Sequence, residues 1–327
     1  MKVLVTGGAG FVGSHVVDRL RANGHEPRVF DLIRSPYHAK EDVDSMVGDL
    51  LDPEAVRVAM RGCDAVLHLA AVADVNAVVS DPIRAEVVNV RGTHVLLEAA
   101  RRAEVERFAF ASTVWVYGNA AGAGPVTEDS PLSLPAHFYT ATKLAGEMYC
   151  RSYEELYGLP HTILRFGIPY GPRSRVAAVV AAFVARANAG EPLSIAGDGR
   201  QTRQFVFVED LADGCVAGLA SQAAGRAYNL ARDESVSIRA IADTVRELVA
   251  GVEVIHGPGR VADVSIPHVS SERAATELGW SATTSFRDGV RAYIDWLAET
   301  SGSPVSRAAS MIDGSAATVL AQEPVEL

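Results

Sequence analysis

Met1-Lys-Val-Leu-Val-Thr6-Gly7-Gly-Ala-Gly10-Phe11-Val12-Gly13 is the stretch that decides the fold. Its first six residues are a short apolar run rich in β-branched side chains, the pattern of a buried strand. From His15 to Asn23 the apolar residues Val16, Val17 and Leu20 recur at helical spacing. A glycine turn therefore joins a strand to a helix. Gly7 permits a sharp exit from the strand, Gly10 lets a pyrophosphate approach the backbone, and Gly13 lets the helix pack closely on the strand. The open N–H groups of Phe11 and Val12, with the helix dipole, favour a phosphate there. Three close glycines also occur in ordinary loops.

The next strand favours the dinucleotide reading. Glu26-Pro-Arg-Val-Phe30 runs into Asp31, roughly twenty residues after the glycines. A carboxylate there accepts hydrogen bonds from the adenosine ribose and repels a 2′-phosphate, so NAD is expected over NADP. Arg34 nearby leaves room for weaker NADP binding.

The chain has 327 residues, 48% of them hydrophobic, enough for one large core or two modest ones. No apolar run approaches the length of a membrane span, and a cleavable leader is not expected, because the N-terminus is itself the first strand. Cys63, Cys150 and Cys215 lie far apart, which fits a reducing cytoplasm and no zinc site. A net charge of −10 without a basic run argues against nucleic acid as a partner.

Further along, Met46 to Leu50 reads as a third strand, with Asp49 and Leu50 placed to meet the adenine. Asp52 caps a helix running to Met60. Asp64 to Ala71 is a fourth strand, and Leu69, Ala70 and Ala71 at its end would let a cofactor lie against it. His68, inside that apolar run, fits a satisfied core histidine better than a catalytic one. Ile83 to Arg102 is one long amphipathic helix containing Asn89 and Thr93, and Arg107 to Thr113 is a fifth strand. Strands alternating with helices predict an α/β, doubly wound parallel sheet. Ligands of such sheets sit beyond the carboxyl ends of the strands, where Ser112 and Thr113 fall. As turn residues alone, they would carry no chemistry.

Asn119 to Pro135, rich in Gly, Ala and Pro, reads as a flexible flap. The helix from Phe138 to about Tyr157 then places Tyr139 and Lys143 on one face, four residues apart. A free phenol, with a pKa of about 10, is a poor base at neutral pH. A neighbouring ammonium favours the phenolate and brings it into range.

Later stretches predict a strand at His161 to Phe166 and a helix at Ala177 to Ala189. A short strand at Pro192 to Ala196 follows, then a strand and helix from Arg203 to Ala220. Ala227 to Leu230 is extended. Ser237 to Ala250, Ser270 to Leu278 and Phe286 to Thr300 are helical. Residues 1–172, with 205–232 returning to them, form the expected nucleotide-binding domain. Residues 173–204 and 233–300 form a smaller substrate lobe. The Ser- and Ala-rich tail, 301–327, reads as a disordered extension.

Gly7-x-x-Gly10-x-x-Gly13, Asp31, Ser112-Thr113 and Tyr139-x-x-x-Lys143 stand in one order. That order resembles the extended short-chain dehydrogenase/reductase family, in particular its sugar-nucleotide-modifying branch, over nearly all of residues 1–300. The resemblance implies a Rossmann-type domain with bound NAD. Ser112-Thr-Val-Trp-Val-Tyr-Gly118 matches the family's S-S/T-x-x-V-Y-G strand, which makes Thr113 the catalytic hydroxyl, supported by Ser112, with Tyr139 and Lys143 completing the catalytic set. Asn89 matches the asparagine of the N-V-x-G-T segment. Gly197-Asp-Gly-Arg-Gln-Thr-Arg203 matches a motif whose last arginine clamps a nucleotide diphosphate. Leu193 falls beside the base, and Arg260 and Asp263 resemble a late pair that contacts diphosphate and ribose. The helices near 83–102 and 139–157 would form a four-helix homodimer interface, with Ala85, Val88, Leu96 and Ala99 as a small-residue seam, although packing within one chain gives the same pattern.

Departures from the family narrow the chemistry. Its 4,6-dehydratases follow the threonine with Asp-Glu, and its decarboxylases usually carry a glutamate there. Here those positions are Val114 and Trp115, neither an acid nor a base. Ile168 stands where epimerases usually have Asn or Thr, and Asn76 where some uronate-handling members have Arg. The expected activity is an NAD-dependent epimerase of a nucleotide sugar, acting at C4 of a UDP-hexose or UDP-hexuronate. The alternatives are a 4-ketoreductase using NADPH or NADH, against which Asp31 argues mildly, and a non-enzymatic cofactor-binding regulator, against which the intact Thr113, Tyr139 and Lys143 argue.

Overall fold

The computed structural model describes residues 1–118, 124–135, 137–258 and 267–300. Along the chain, β1 (Lys2–Thr6), α1 (Phe11–Ala22), β2 (Glu26–Asp31) and β3 (Asp44–Val47) come first. Then follow α2 (Pro53–Met60), β4 (Ala65–His68), α3 (Val75–Ser80) and α4 (Pro82–Glu86). A π-helical turn over Val87–Arg91 leads into α5 (Gly92–Arg102). Next are β5 (Arg107–Thr113), a 3-10 turn over Val114–Tyr117, α6 (Phe138–Tyr157), β6 (His161–Phe166) and β7 (Ile168–Tyr170). The remainder is α7 (Val179–Asn188), β8 (Leu193–Ala196), β9 (Thr202–Phe207), α8 (Val208–Ala217), β10 (Arg226–Leu230), β11 (Ser235–Ser237), α9 (Ile238–Leu248), β12 (Val254–Gly257), α10 (Glu272–Leu278) and α11 (Phe286–Thr300).

Two compact units divide the chain. The first comprises Met1–Pro169, Arg203–Ser235 and Val264–Thr283, and the second Tyr170–Thr202, Val236–Asp263 and Thr284–Leu327. The first is built on a seven-stranded parallel sheet in the order β10-β6-β5-β4-β1-β2-β3. This is a Rossmann-type doubly wound sheet, as the alternation predicts. The order reverses beside β1, which puts the glycine turn at the switch point, where such sheets bind ligands.

Both faces of the sheet are covered at its centre, where β1 and β4 are buried and largely apolar, whereas the edge strand β3 is half exposed. Val3, Val5 and Leu67 point to one side, packing with Val16, Val17 and Leu20 of α1 and Leu211 of α8. Leu4, Val66, Phe108 and Phe110 point to the other, packing with Val56 of α2, Leu96 and Leu97 of α5 and Cys150 of α6. Asp52 caps α2, accepting from the Glu54 and Ala55 N–H groups, with Pro53 at the first helical position.

Several elements differ from the sequence reading. The long helix expected over 83–102 is interrupted by the π turn, whose extra residue lets Asn89 face inward. The fourth strand ends at His68, because Leu69 turns to donate to the Thr6 carbonyl. The stretch expected to be a loose flap is pinned over its described part. Val126 N–H donates to His268 O at 2.7 Å, Ser270 N–H returns to Val126 O at 2.9 Å, and Ser133 N–H donates to Val116 O at 3.1 Å. Residues 119–123 lie outside the described residues, as does the tail from 301 to 327.

In the second unit, β8 pairs in parallel with β12, Leu193 opposite Val254. Leu193 and Ile195 are fully buried there, and Ser237 caps α9 by accepting from the Ala240 N–H.

Candidate active site

The glycine turn is shaped by two close approaches and one open position. Gly7 has φ +72, and a Cβ on it would lie 2.7 Å from the Ala70 nitrogen. On Gly13 a Cβ would come within 2.1 Å of the Gly7 carbonyl oxygen. Neither position has room for a side chain. Gly10 is different: a Cβ there would meet only Gly7 O, at 3.2 Å, with open space beyond. Glycine at position 10 thus keeps clear a space that the protein does not fill. Gly10 also precedes α1 with no side-chain cap and no acid in the first turn, leaving Phe11, Val12 and Gly13 at an uncapped positive helix end.

Asp31 closes the turn from the side. Its Oδ2 accepts from the Ala9 N–H at 3.0 Å and its Oδ1 from the Leu32 N–H at 2.7 Å. Burial raises its pKa, and these backbone donors only partly offset that. Asp49 is exposed, its Oδ1 accepting from Leu51 N–H, while Leu50 is buried against the sheet. Leu69, Ala70 and Ala71 are half-buried at the exit of β4. A clear cradle, an uncapped helix end and a carboxylate beside them fit the diphosphate and ribose of a dinucleotide.

Thr113 ends β5, and α6 brings Tyr139 and Lys143 to the same first unit. Thr113 is buried, its Oγ1 accepting from the Trp115 N–H at 3.2 Å. The Trp115 ring lies 5.3 Å from that of His137, just before α6. Lys143 is 4% exposed. Its Nζ donates to Ala111 O at 2.9 Å and stands 5.9 Å from the centre of the Tyr139 ring. Burial lowers its pKa to about 8, so the ammonium is held at some cost. A lysine both buried and beside a phenol marks a candidate functional site.

Ser112 faces away from Thr113, as strand alternation requires, and donates to Glu147 Oε1 at 2.6 Å. Asn89 is fully engaged: its Oδ1 accepts from Val72 N–H at 2.7 Å, and its Nδ2 donates to Val72 O and to Thr142 Oγ1. Thr142 Oγ1 donates in turn to the Tyr139 carbonyl at 2.7 Å. His68 is buried between Thr6 Oγ1 at 2.8 Å and Thr93 Oγ1 at 2.9 Å. Burial, then the Lys143 charge, pushes its pKa down to about 3, so it is a neutral bridge.

Arg203 is half-buried on β9. Leu193 is a core residue of the second unit. Arg260 and Asp263 lie outside the described residues. Sequence reasoning missed Glu147 and Arg165, which form a buried bidentate pair behind Ser112. Burial opposes the Arg165 charge, but the Glu147 carboxylate outweighs it and holds the guanidinium above its ordinary pKa. The available signal was Glu147 itself, four residues after Lys143 on the same helical face.

Residues 3–231 match the model of the NAD dependent epimerase/dehydratase family. This chain belongs to that family. Its epimerase/dehydratase relatives include the UDP-glucose 4-epimerase of Mycolicibacterium smegmatis, 34% identical over 310 residues, which span 91% of this chain and 98% of that protein. Among solved structures, the UDP-glucose 4-epimerase of Thermus thermophilus in complex with NAD superposes with TM-score 0.84 at 35% identity, over 91% of this chain and 99% of that one. A dTDP-glucose 4,6-dehydratase of Streptomyces venezuelae with NAD bound gives 0.84 at 30% identity, over 92% and 98%. The family is NAD-dependent, and the glycine turn with Asp31 fits that cofactor. Epimerases and dehydratases match the chain almost equally, so the choice between them rests on the site. Among the described residues no helix is long and apolar enough to cross a membrane.

Proposed function

We propose that this chain is an NAD-dependent epimerase of nucleotide sugars, acting at C4 of a UDP-hexose or UDP-hexuronate through a transient 4-keto sugar. One observation carries the reading. A buried lysine stands beside a tyrosine on one helix and is bonded to Ala111 O, two residues before the threonine that ends the same strand, while Val114 and Trp115 occupy the positions where elimination would need an acid and a base.

The residues divide the work as follows. Tyr139, as phenolate, takes the proton from the C4 hydroxyl and later returns it. Thr113 hydrogen-bonds the same oxygen and holds it within reach of Tyr139. Lys143, fixed by the Ala111 carbonyl, favours the phenolate electrostatically. Bound NAD supplies the reversible hydride sink that makes C4 planar and lets it be rebuilt on either face. Arg203 anchors the diphosphate, so the sugar can turn without leaving, and confinement supplies the near-attack geometry.

The helix that carries Tyr139 and the short helix before the π turn supply the proposed homodimer face. Ile83, Met148, Tyr149, Leu156 and Tyr157 are exposed on α4 and α6. Ala85 and Leu96 are buried within the single chain, so they are not free to form the seam. Sedimentation of wild type against Met148→Glu/Leu156→Glu tests this, the double variant being expected to run as a monomer.

The activity test is direct. UDP-glucose, UDP-glucuronate and UDP-N-acetylglucosamine are each incubated with the protein and catalytic NAD, and the C4 epimer is followed by NMR. Interconversion with no net change in nicotinamide absorbance is expected from wild type, and none from Tyr139→Phe. Stoichiometric consumption of NADPH, or a 4-keto-6-deoxy product, would overturn the proposal.

A further inference from the structure

The third turn of the catalytic helix carries a charge that the proposed chemistry does not use. Tyr139, Lys143 and Glu147 recur every four residues on α6 and so form one stripe. Glu147 has no exposed surface and Arg165, on β6, is 1% exposed. Glu147 Oε1 accepts from Ser112 Oγ at 2.6 Å and from Arg165 Nε at 3.0 Å, and its Oε2 accepts from Arg165 Nη2 at 2.7 Å. The remaining Arg165 edge donates through Nη1 to the Tyr117 hydroxyl at 2.8 Å, and that hydroxyl donates to Asn229 Oδ1 at 2.7 Å. Arg165 also lies over the Tyr117 ring, 5.0 Å from its centre.

Such a pair is a poor source of stability, because desolvating two charges offsets most of their attraction, and apolar residues of similar size often do as well. A planar guanidinium clasped at two points does something that an apolar contact cannot: it fixes both distance and rotation. Here the clasp joins three pieces of chain around the proposed site. One is α6, with Tyr139 and Lys143. Another is the end of β5, where Ser112 precedes Thr113. The third is the turn after it, which ends at Tyr117. Apolar packing alone would let α6 slide or roll by a fraction of an ångström against β5.

We infer that Glu147 and Arg165 are positioning residues, which hold the Tyr139–Lys143 stripe in register with Thr113. This rests on the proposed roles of those three residues, but the test separates the two. Glu147→Leu/Arg165→Met removes both charges together and leaves none stranded. Glu147→Asp keeps the charge and withdraws it by one methylene. For each, thermal stability, NAD affinity, kcat and KM are measured. The titration of Tyr139 is followed by NMR of tyrosine labelled at Cζ, its signal assigned with Tyr139→Phe.

The double variant is expected to melt within a few degrees of wild type and to bind NAD within about twofold. Its kcat is expected to fall on the order of 100-fold, the scale of an ångström misplacement, with KM little changed. The Tyr139 titration is expected to move towards that of a free phenol, and Glu147→Asp should show a smaller change in the same direction. Wild-type kcat with an unmoved Tyr139 titration in either folded variant would overturn the inference. If the double variant fails to fold, Glu147→Asp decides by the same two readouts. If wild type epimerises no sugar offered, the functional reading fails, while the titration still decides this one.

Discussion

Asp31 Oδ2 accepts the Ala9 N–H at 3.0 Å, so the carboxylate that ends β2 also fastens the glycine turn after β1. One side chain thus shapes the glycine turn as well as ending the strand beside it. Asp31→Asn is expected to weaken NAD at least tenfold and to narrow the preference over NADP, since the repulsion of a 2′-phosphate is gone. Burial raises the Asp31 pKa, so the folded chain holds this proton more tightly than the unfolded one. Ionised Asp31 therefore detracts from apo stability above the ordinary carboxylate pKa, and Asp31→Asn should not lower Tm by more than a few degrees. For the same reason, NAD affinity in wild type should fall on acidification at a higher pH than an exposed aspartate would give. Titration calorimetry with NAD and NADP between pH 7 and 5 checks both.

Gly10 and Gly13 look alike in the motif and should behave oppositely. A Cβ on Gly10 meets only Gly7 O, at 3.2 Å, and its φ of −80 suits any residue. Gly10→Ala should fold with Tm nearly unchanged, yet lose at least tenfold in NAD affinity, about 1.4 kcal/mol. A Cβ on Gly13 would lie 2.1 Å from Gly7 O, so α1 must move off β1. Gly13→Ala should lower stability by roughly 2–3 kcal/mol, the range of a strained core substitution, and Tm by several degrees. Equal loss of Tm in both variants would count against Gly10 as ligand space.

Lys143 is predicted to be held against stability. Its pKa is lowered to about 8 by burial, so between about pH 8 and 10.5 the unfolded chain binds the extra proton. Stability then rises with pH across that window, and the penalty is fully present below pH 8. Its size is on the order of 3 kcal/mol, reduced in Lys143→Met by the Ala111 carbonyl left without its donor. Lys143→Met should abolish turnover without lowering Tm at pH 7. Its stability advantage should shrink as the pH approaches 10.5, which denaturation in urea across that range will show.

The central strands of the sheet were legible because they are apolar runs, as in Lys2–Thr6 before Gly7 or Ala65–His68. The edge strand β3 was placed two to three residues late, at Met46–Leu50, because Asp44-Ser-Met-Val47 opens on two polar residues, is half exposed and carries no apolar run. Tyr139 and Lys143 were legible because helical spacing alone puts them on one face. What escaped depends on partners distant in sequence. Ser112 beside Thr113 looks like a substrate residue, but its hydroxyl donates to Glu147, 35 positions away. The Gly- and Ala-rich stretch after Tyr117 looks mobile, but Val126 pairs with residues 268–270 and Glu128 accepts the Asn229 N–H at 2.7 Å. The apolar period continues through the π turn, so nothing in the pattern marks the extra residue.

That π turn supports the last prediction. Asn89 is 3% exposed, and its carboxamide satisfies both backbone groups of Val72, just after the strand end where a cofactor would lie. Its second N–H reaches Thr142, which holds the Tyr139 carbonyl. Asn89→Ala leaves the half-buried Val72 N–H and C=O without their partner, at roughly 1 kcal/mol each. Tm is expected to fall by several degrees, and amide exchange at Val72 to accelerate before that at β4. Turnover should fall further than NAD affinity, because the lost contacts converge on the Tyr139 turn as well as on Val72. Asn89→Asp separates the two effects: its carboxylate still accepts from Val72 N–H but repels Val72 O and cannot donate to Thr142. Amide exchange at Val72 as slow in Asn89→Ala as in wild type would show that another group holds that segment.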